Sequence, residues 1–425
     1  MTNPELLQLL RSEVIPAIGC TEPIAVALCT ARAKELLGAE PDSITVHLSK
    51  NVYKNALAVG IPNTGMTGLP IAIALGATVG KSEYMLEVLR DATPEAVAYA
   101  KAYMLRVPAT IKVDYEAPSL LYIHVEVSKE GQTAQATIMD EHTHFVEPGT
   151  RNQEASDISE IDTTANTLSL RRVYNFAASV DTKELTFLLE GAEMNTAAAE
   201  TSFADQYGHG LGRLLRANTL TATPEMEKLF GNTLFTKIIS YTCGACDARM
   251  SGAMVQVMSN SGSGNQGISC SIPVYLYAKE NNCSEEQTLR ALALSNLTVI
   301  YIKQSLGRLS ALCGCVVAAT GSAAGITYLM GGTYDEITYA IKNMIANISG
   351  MICDGAKPGC ALKVTSGVAT AIFSAYLAMQ HSYADSTEGI VEDDIDRTIR
   401  NLTRIGHDGM KVTDDLILDI MTHKQ

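Results

Sequence analysis

Apolar residues recur at helical spacing from Pro4 to about Gly38, interrupted once by Ile15-Pro16-Ala17-Ile18-Gly19-Cys20-Thr21-Glu22-Pro23. The interruption reads as a turn, and Thr21-Glu22-Pro23 restarts a helix with proline in its first turn. From about Asp42 the period changes. Residues 43–49, 110–115, 120–127 and 132–139 alternate apolar and polar as strands do, and Lys129-Glu130-Gly131 is a hairpin turn between the last two. Residues 68–89 read as two Ala-rich helices and 93–104 as a third, with Pro94 in its first turn. Beyond a polar stretch at 149–164, helical spacing dominates, as in 182–191, 194–215, 224–231, 285–306, 334–348, 363–379 and 392–406. The pattern predicts an α+β protein. A large all-helical domain is expected from residues 1–38 and 165–425, with a smaller α+β domain, 42–148, inserted and 149–164 as linker.

Composition narrows the function classes. The chain has 425 residues, 47% of them apolar and 18% charged, enough for a sizeable core. A net charge of −14 and the lack of tryptophan disfavour a nucleic-acid partner. Residues 310–334 carry no charge, yet Gly321, Gly325, Gly331 and Gly332 break them, so core helices are expected there rather than a membrane span. The N-terminal segment has the look of a polar helix start, not of a signal peptide. A cytoplasmic protein with reduced thiols is expected, and ligand or nucleophile roles for its ten cysteines outrank disulfides. A homodimer is the possible assembly.

Three of those cysteines stand out. Cys313, Cys353 and Cys360 sit in Gly-rich, nearly uncharged surroundings. Gly355, Pro358 and Gly359 prohibit a regular helix between the last two and let the backbone curl around a ligand. A 4Fe–4S cluster held by three thiolates keeps one iron open for chemistry; three buried thiols acting as small hydrophobes would give the same spacing. Cys20 falls at a helix start, where unpaired amides favour a thiolate. In Asn260-Ser261-Gly262-Ser263-Gly264-Asn265-Gln266-Gly267 the glycines allow amides to face an anion, and Ser261, Ser263, Asn265 and Gln266 add side-chain donors. That suits a substrate carboxylate; the lysine and spacing of a nucleotide loop are missing. Asn63-Thr64-Gly65 is a second donor loop that could close over a substrate. Several features stay open between chemistry and structure. Cys243 and Cys246 have zinc or redox spacing but also suit packed helical thiols. His142 and His144, two apart, would share one face of a strand. Glu190, Glu193 and Asn195 could take an ammonium or cap a helix, and Arg249 could pair a carboxylate if buried.

Together, Ile18–Pro23, Asn260–Gly267 and the spacing of Cys313, Cys353 and Cys360 resemble the L-cysteine desulfidase family, which is related to the alpha chain of iron–sulfur L-serine dehydratases. The resemblance spans almost the whole chain. It implies a 4Fe–4S enzyme that eliminates the β-substituent of a small amino-acid substrate without pyridoxal phosphate. Cys313, Cys353 and Cys360 match the cluster ligands, and Cys20 matches a further functional cysteine, either the base or a cap on the open iron. The dehydratases can place a C-terminal cysteine over their cluster; this chain ends Met-Thr-His-Lys-Gln, leaving Cys20 or water for that position. The implied reaction converts L-cysteine to sulfide, ammonia and pyruvate. L-Serine dehydration is the alternative, and a non-catalytic cluster sensor of cysteine or oxygen is the alternative outside enzymes.

Overall fold

The change of period near residue 42 is where the chain leaves helix for sheet. A computed structural model describes residues 1–147, 168–221 and 223–423; the expected linker lies outside them. The first helix, α1 (Asn3–Glu13), starts in a capping box between Thr2 and Glu5. It is followed by β1 (Pro16–Ile18) and α2 (Thr21–Leu37), which stops at Gly38 in the left-handed conformation, φ +72°. Next come β2 (Ser43–Ser49), α3 (Lys50–Ala56), the short strands β3 (Gly60–Ile61) and β4 (Met66–Thr67), α4 (Leu69–Thr78) and α5 (Pro94–Arg106). The strands β5 (Thr110–Asp114), β6 (Tyr122–Lys129), β7 (Gln132–Met139) and β8 (Phe145–Val146) complete this part. The second of the two helices expected over 68–89 is only a 3-10 stretch, Ser82–Glu87.

Five strands form one sheet in the order β5-β2-β6-β7-β8, with β2 and β5 parallel and the other neighbours antiparallel. Glu130 and Gly131 join β6 to β7 with positive φ at both residues, the backbone a tight hairpin turn needs. Val46, Val125 and Ala136 stand opposite one another and are buried, as the period of two requires. The helix α2 lies across β6 and β7, α4 packs on α2, and α5 on α4. So α1 packs on the helix Glu285–Leu306 of the helical part, whereas α2 packs on the sheet. The helix α2 is buried from Thr21 to Ala31 on every side, so its spacing carries no sign of which partner it meets.

The second part is helical: α6 (Leu170–Ser179), α7 (Thr186–Ala204), α8 (Leu211–Thr221), α9 (Pro224–Phe230) and α10 (Leu234–Met250). After the short strand β9 (Gln256–Met258) come α11 (Gly264–Glu280), α12 (Glu285–Leu306), α13 (Gly314–Leu329) and α14 (Tyr334–Ile348). The chain closes with α15 (Cys360–Met379), α16 (Ile395–Arg404) and α17 (Lys411–Thr422). The uncharged stretch expected as core helix is α13, packed among α11, α12, α14 and α15. Its small residues permit that crowding. A Cβ at Gly321 would lie 2.5 Å from the Ser295 carbonyl oxygen, and one at Gly325 would lie 2.7 Å from Val274. Among the described residues one helix, α15, is long and apolar enough to cross a membrane; Val364, Val368, Ala371 and Ala375 on it are buried, and it packs on α10, α13 and α14.

Long-range links join the parts. The strand β1 pairs antiparallel with β9, Pro16 opposite Met258, which brings the start of α2 beside the Gly-rich loop. At the other end α17 packs against α3, where Lys54 and Asp414 form a buried ion pair.

Candidate active site

Four helix starts meet at one cavity. Cys20 is the N-cap of α2, Ser263 of α11 and Cys313 of α13, while Cys360 is the first residue of α15. None of the four starts has a side-chain cap; those of α11 and α13 leave leading amides and the positive ends of their dipoles for another acceptor, whereas at α15 the Cys360, Ala361 and Leu362 amides donate to the Lys357, Pro358 and Gly359 carbonyls. These residues line a cavity with about 720 Å³ of empty space, its open mouth included.

The cysteine segments are clamped by a short bridge. Leu312 pairs antiparallel with Ile352; the Cys313 amide donates to the Met351 carbonyl at 2.9 Å and the Cys353 amide to the Ala311 carbonyl at 2.7 Å. Cys313 and Cys353 each follow the paired residue, so both project from the same face of the bridge. Gly355 then turns the chain at φ +82°, where a Cβ would meet the Lys54 carbonyl oxygen at 2.5 Å. A final turn, Cys360 amide to Lys357 carbonyl at 2.9 Å, delivers Cys360.

The thiols differ in charge. A hydrogen bond from Cys315, sulfur to sulfur 3.3 Å, is the chief cause that brings Cys313 down to about 7, with Lys363 and Lys357 assisting. Burial pushes Cys353 up to about 11 and raises Cys360 as well. Burial also opposes the charge of Asp354, yet its bonds to Lys357 and Lys363 hold it at about 2, so the carboxylate fixes both lysines beside the cysteine loop.

Cys20 departs from the expected thiolate. Burial, then the Glu22 carboxylate, push its thiol well above the ordinary value, and its S–H donates to Glu22 Oε2 at 3.2 Å. Glu22 also accepts from the Thr21 hydroxyl at 3.0 Å and from Asn55 Nδ2 at 3.0 Å. Burial opposes its charge, but nearby His142 and these donors keep it below the ordinary carboxylate value. The helix dipole is thus taken up by a carboxylate rather than by the sulfur. Lys303 lines the cavity too, pushed down to about 8 by burial, and donates to the Arg308 carbonyl at 2.9 Å. Arg308 is neutralised by both Glu13 oxygens at 2.9 and 3.0 Å.

Of the residues singled out in the sequence, Cys20, Ser263, Asn265, Gln266, Cys313, Cys353 and Cys360 line this one cavity. Ser261 does not: it is buried, and its hydroxyl donates to Asn260 Oδ1 at 2.9 Å, bracing the loop. Asn63 and Thr64 are also outside it. The Thr64 hydroxyl donates to the Ile61 carbonyl at 2.7 Å, closing the turn between β3 and β4. His142 and His144 lie in a turn, not a strand, so they do not share a face. His142 is buried against Gly262, whereas His144 Nδ1 sits 3.2 Å from the Met139 carbonyl oxygen. Asn195 braces β9, donating to the Met258 carbonyl at 3.1 Å and accepting from its amide at 2.8 Å. Cys243 and Cys246 are fully buried within α10. Glu22, Asn55, Lys303 and Arg308 are additions. Lys303 had a signal, a lysine ending the uncharged run 291–302; Asn55 had none.

The sequence places this cavity in a defined family. Residues 83–419 match the model for the serine dehydratase alpha chain, and the chain belongs to that family of lyase-type enzymes. It is 56% identical to a UPF0597 protein of Phocaeicola vulgatus, over 99% of this chain and 98% of the relative. A UPF0597 protein of Bacteroides thetaiotaomicron is 55% identical over the same shares. One from Oleidesulfovibrio alaskensis is 42% identical over the full length of both.

Proposed function

We propose that the protein is an iron–sulfur-dependent β-eliminating lyase that converts L-cysteine to sulfide, ammonia and pyruvate. The observation that carries this reading is the meeting of Cys313, Cys353 and Cys360 with Cys20 and the Ser263–Gln266 loop at one cavity. A 4Fe–4S cluster asks for soft thiolate ligands, backbone amides near the sulfurs and positive charge around them. Cys313, Cys353 and Cys360 supply the first, the uncapped start of α13 the second, and Lys357 and Lys363 the third. Among the described residues no three His, Cys, Asp or Glu side chains close on a single-ion site, and a four-iron cube spreads its ligands wider than one ion does. When bound, the cluster supplies an open iron, a Lewis acid that makes the substrate sulfur a better leaving group.

The protein's own residues do the rest. Cys20 and Glu22 act as a proton-accepting pair: the Cys20 sulfur takes the Cα proton as its own proton passes to Glu22. Loss of sulfide leaves 2-aminoacrylate, which tautomerises to an imine and takes up water to give pyruvate and ammonia.

A second reading, L-serine dehydration, is favoured by the family match itself. A hydroxyl must gain a proton as it leaves, and Lys303 stands in the cavity wall as an acid. Anaerobic assay of both amino acids, following pyruvate and sulfide, tests the two readings. Turnover of L-cysteine with sulfide release is expected. Pyruvate from L-serine alone would select the second reading, and no pyruvate from either would end both.

A further inference from the structure

We infer that Arg249 is the anchor for the substrate's α-carboxylate. This rests on the reading that the cavity takes an amino acid. Arg249 is only 2% exposed, yet it lines the cavity. Its Nη1 donates to Asn265 Oδ1 at 3.0 Å, while Nε and Nη2 are buried with no hydrogen-bond partner among the described residues. No carboxylate pairs with it among those residues either. Asp247, two residues earlier, is directed elsewhere, accepting from the His209 amide at 3.3 Å. A guanidinium cannot shed its charge, so a buried one without a counter-ion is costly unless a ligand supplies the anion.

The surroundings specify what kind of anion. The guanidinium lies over the first residue of α11: a Cβ on Gly264 would come within 2.3 Å of Nε, so only glycine at that position leaves the fork where it is. The uncapped amides of α11 therefore open beside two unpartnered guanidinium nitrogens, and the Asn265 and Gln266 side chains border the same space. A planar fork beside a helix start suits a planar carboxylate with two acceptor oxygens. Glu22 is the one carboxylate in the cavity lining, so the same cavity offers an acceptor for an ammonium as well as donors for a carboxylate.

The test uses three unreactive probes, L-alanine, L-alaninamide and pyruvate, titrated calorimetrically near neutral pH into anaerobically prepared holoprotein. Wild type is expected to bind L-alanine roughly 100-fold more tightly than its amide, the worth of a charged hydrogen-bonded pair. Arg249→Met should erase that preference and weaken pyruvate by a similar factor, with Arg249→Lys intermediate. The comparison within wild type needs no variant, so a misfolded Arg249→Met leaves the test intact. Equal binding of acid and amide by wild type, binding of none of the probes, or an unchanged preference in folded Arg249→Met each overturns the anchor. Pyruvate binding through Arg249 without turnover of cysteine or serine would keep the anchor and remove the proposed reaction. Turnover of cysteine with the acid preference intact in Arg249→Met would do the reverse.

Discussion

Cys20 and Glu22 exchange the roles that position alone would give them. A cysteine at a helix start should be the anion, but here the neighbouring carboxylate takes the amides' field and the sulfur keeps its proton. In the proposed reaction neither residue is then a base by itself, and each needs the other to accept the Cα proton. Cys20→Ala and Glu22→Gln are both expected to lower kcat by roughly 100- to 10,000-fold. Neither is hydrogen-bonded to the cysteine loop among the described residues, so iron and sulfide content should match wild type; loss of iron from Cys20→Ala would recast Cys20 as a ligand. His142 gives a pH signature at the same scale. Burial pushes it down to about 4 against the pull of Glu22 and Glu141, while Arg308 and Arg249 add to the downward push. An unfolded histidine titrates near 6.5, so between pH 6.5 and 4 the unfolded chain binds a proton that the folded one refuses, and stability falls as pH falls. His142→Leu should remove on the order of 1–3 kcal/mol of that acid dependence, measured by urea unfolding at pH 7 and pH 5. Equal slopes in the two proteins would refute it.

At the scale of elements, the cavity depends on where helices begin, and this is where sequence reading succeeded and failed in the same places. The start at Cys20 was legible because proline stands where an apolar period restarts, whereas α15 was expected only from residue 363 and no start was placed at Cys313, where a run of small uncharged residues leaves no period to read. The strands were legible because β6 alternates strictly and β7 alternates in sequence from Gln135 to Ile138. The packing partner of α2 was not, since a helix buried all round has no directional stripe. The pairing of β1 with β9 was also hidden, because three-residue strands some 240 positions apart leave no pattern to read. Glu22 and Asn55 looked like ordinary polar residues until that pairing placed them. Gly355 is the element-level device most open to test. With φ +82° and the Lys54 carbonyl 2.5 Å from any Cβ, Gly355→Ala should cost about 1–3 kcal/mol and pull Cys353 and Cys360 apart. Its measure is a lower Tm with sub-stoichiometric iron, whereas wild-type values for both would show that the loop adapts.

At the scale of the whole molecule, the cysteine loop is held from the sheet part as well as from the helices that carry it. Lys54 on α3 pairs with Asp414 on α17, and the same ammonium donates to the Cys353 carbonyl at 3.3 Å. Asn51 also donates to Asp414, so one carboxylate from the C-terminal helix ties together α3 and the loop. Both members of the ion pair are nearly inaccessible, at 2% and 9% side-chain exposure. Removing one partner strands the other, and Asp414→Asn should cost about 3–5 kcal/mol in urea unfolding. Replacing both, Lys54→Met with Asp414→Leu, removes the stranded charge and should recover most of that loss. Iron retention should nevertheless stay low in the double variant, because the bond to the Cys353 carbonyl is gone while the packing is restored. Stability and iron recovering together would mean that the pair serves only to dock α17, and that the loop holds its shape without help from the sheet.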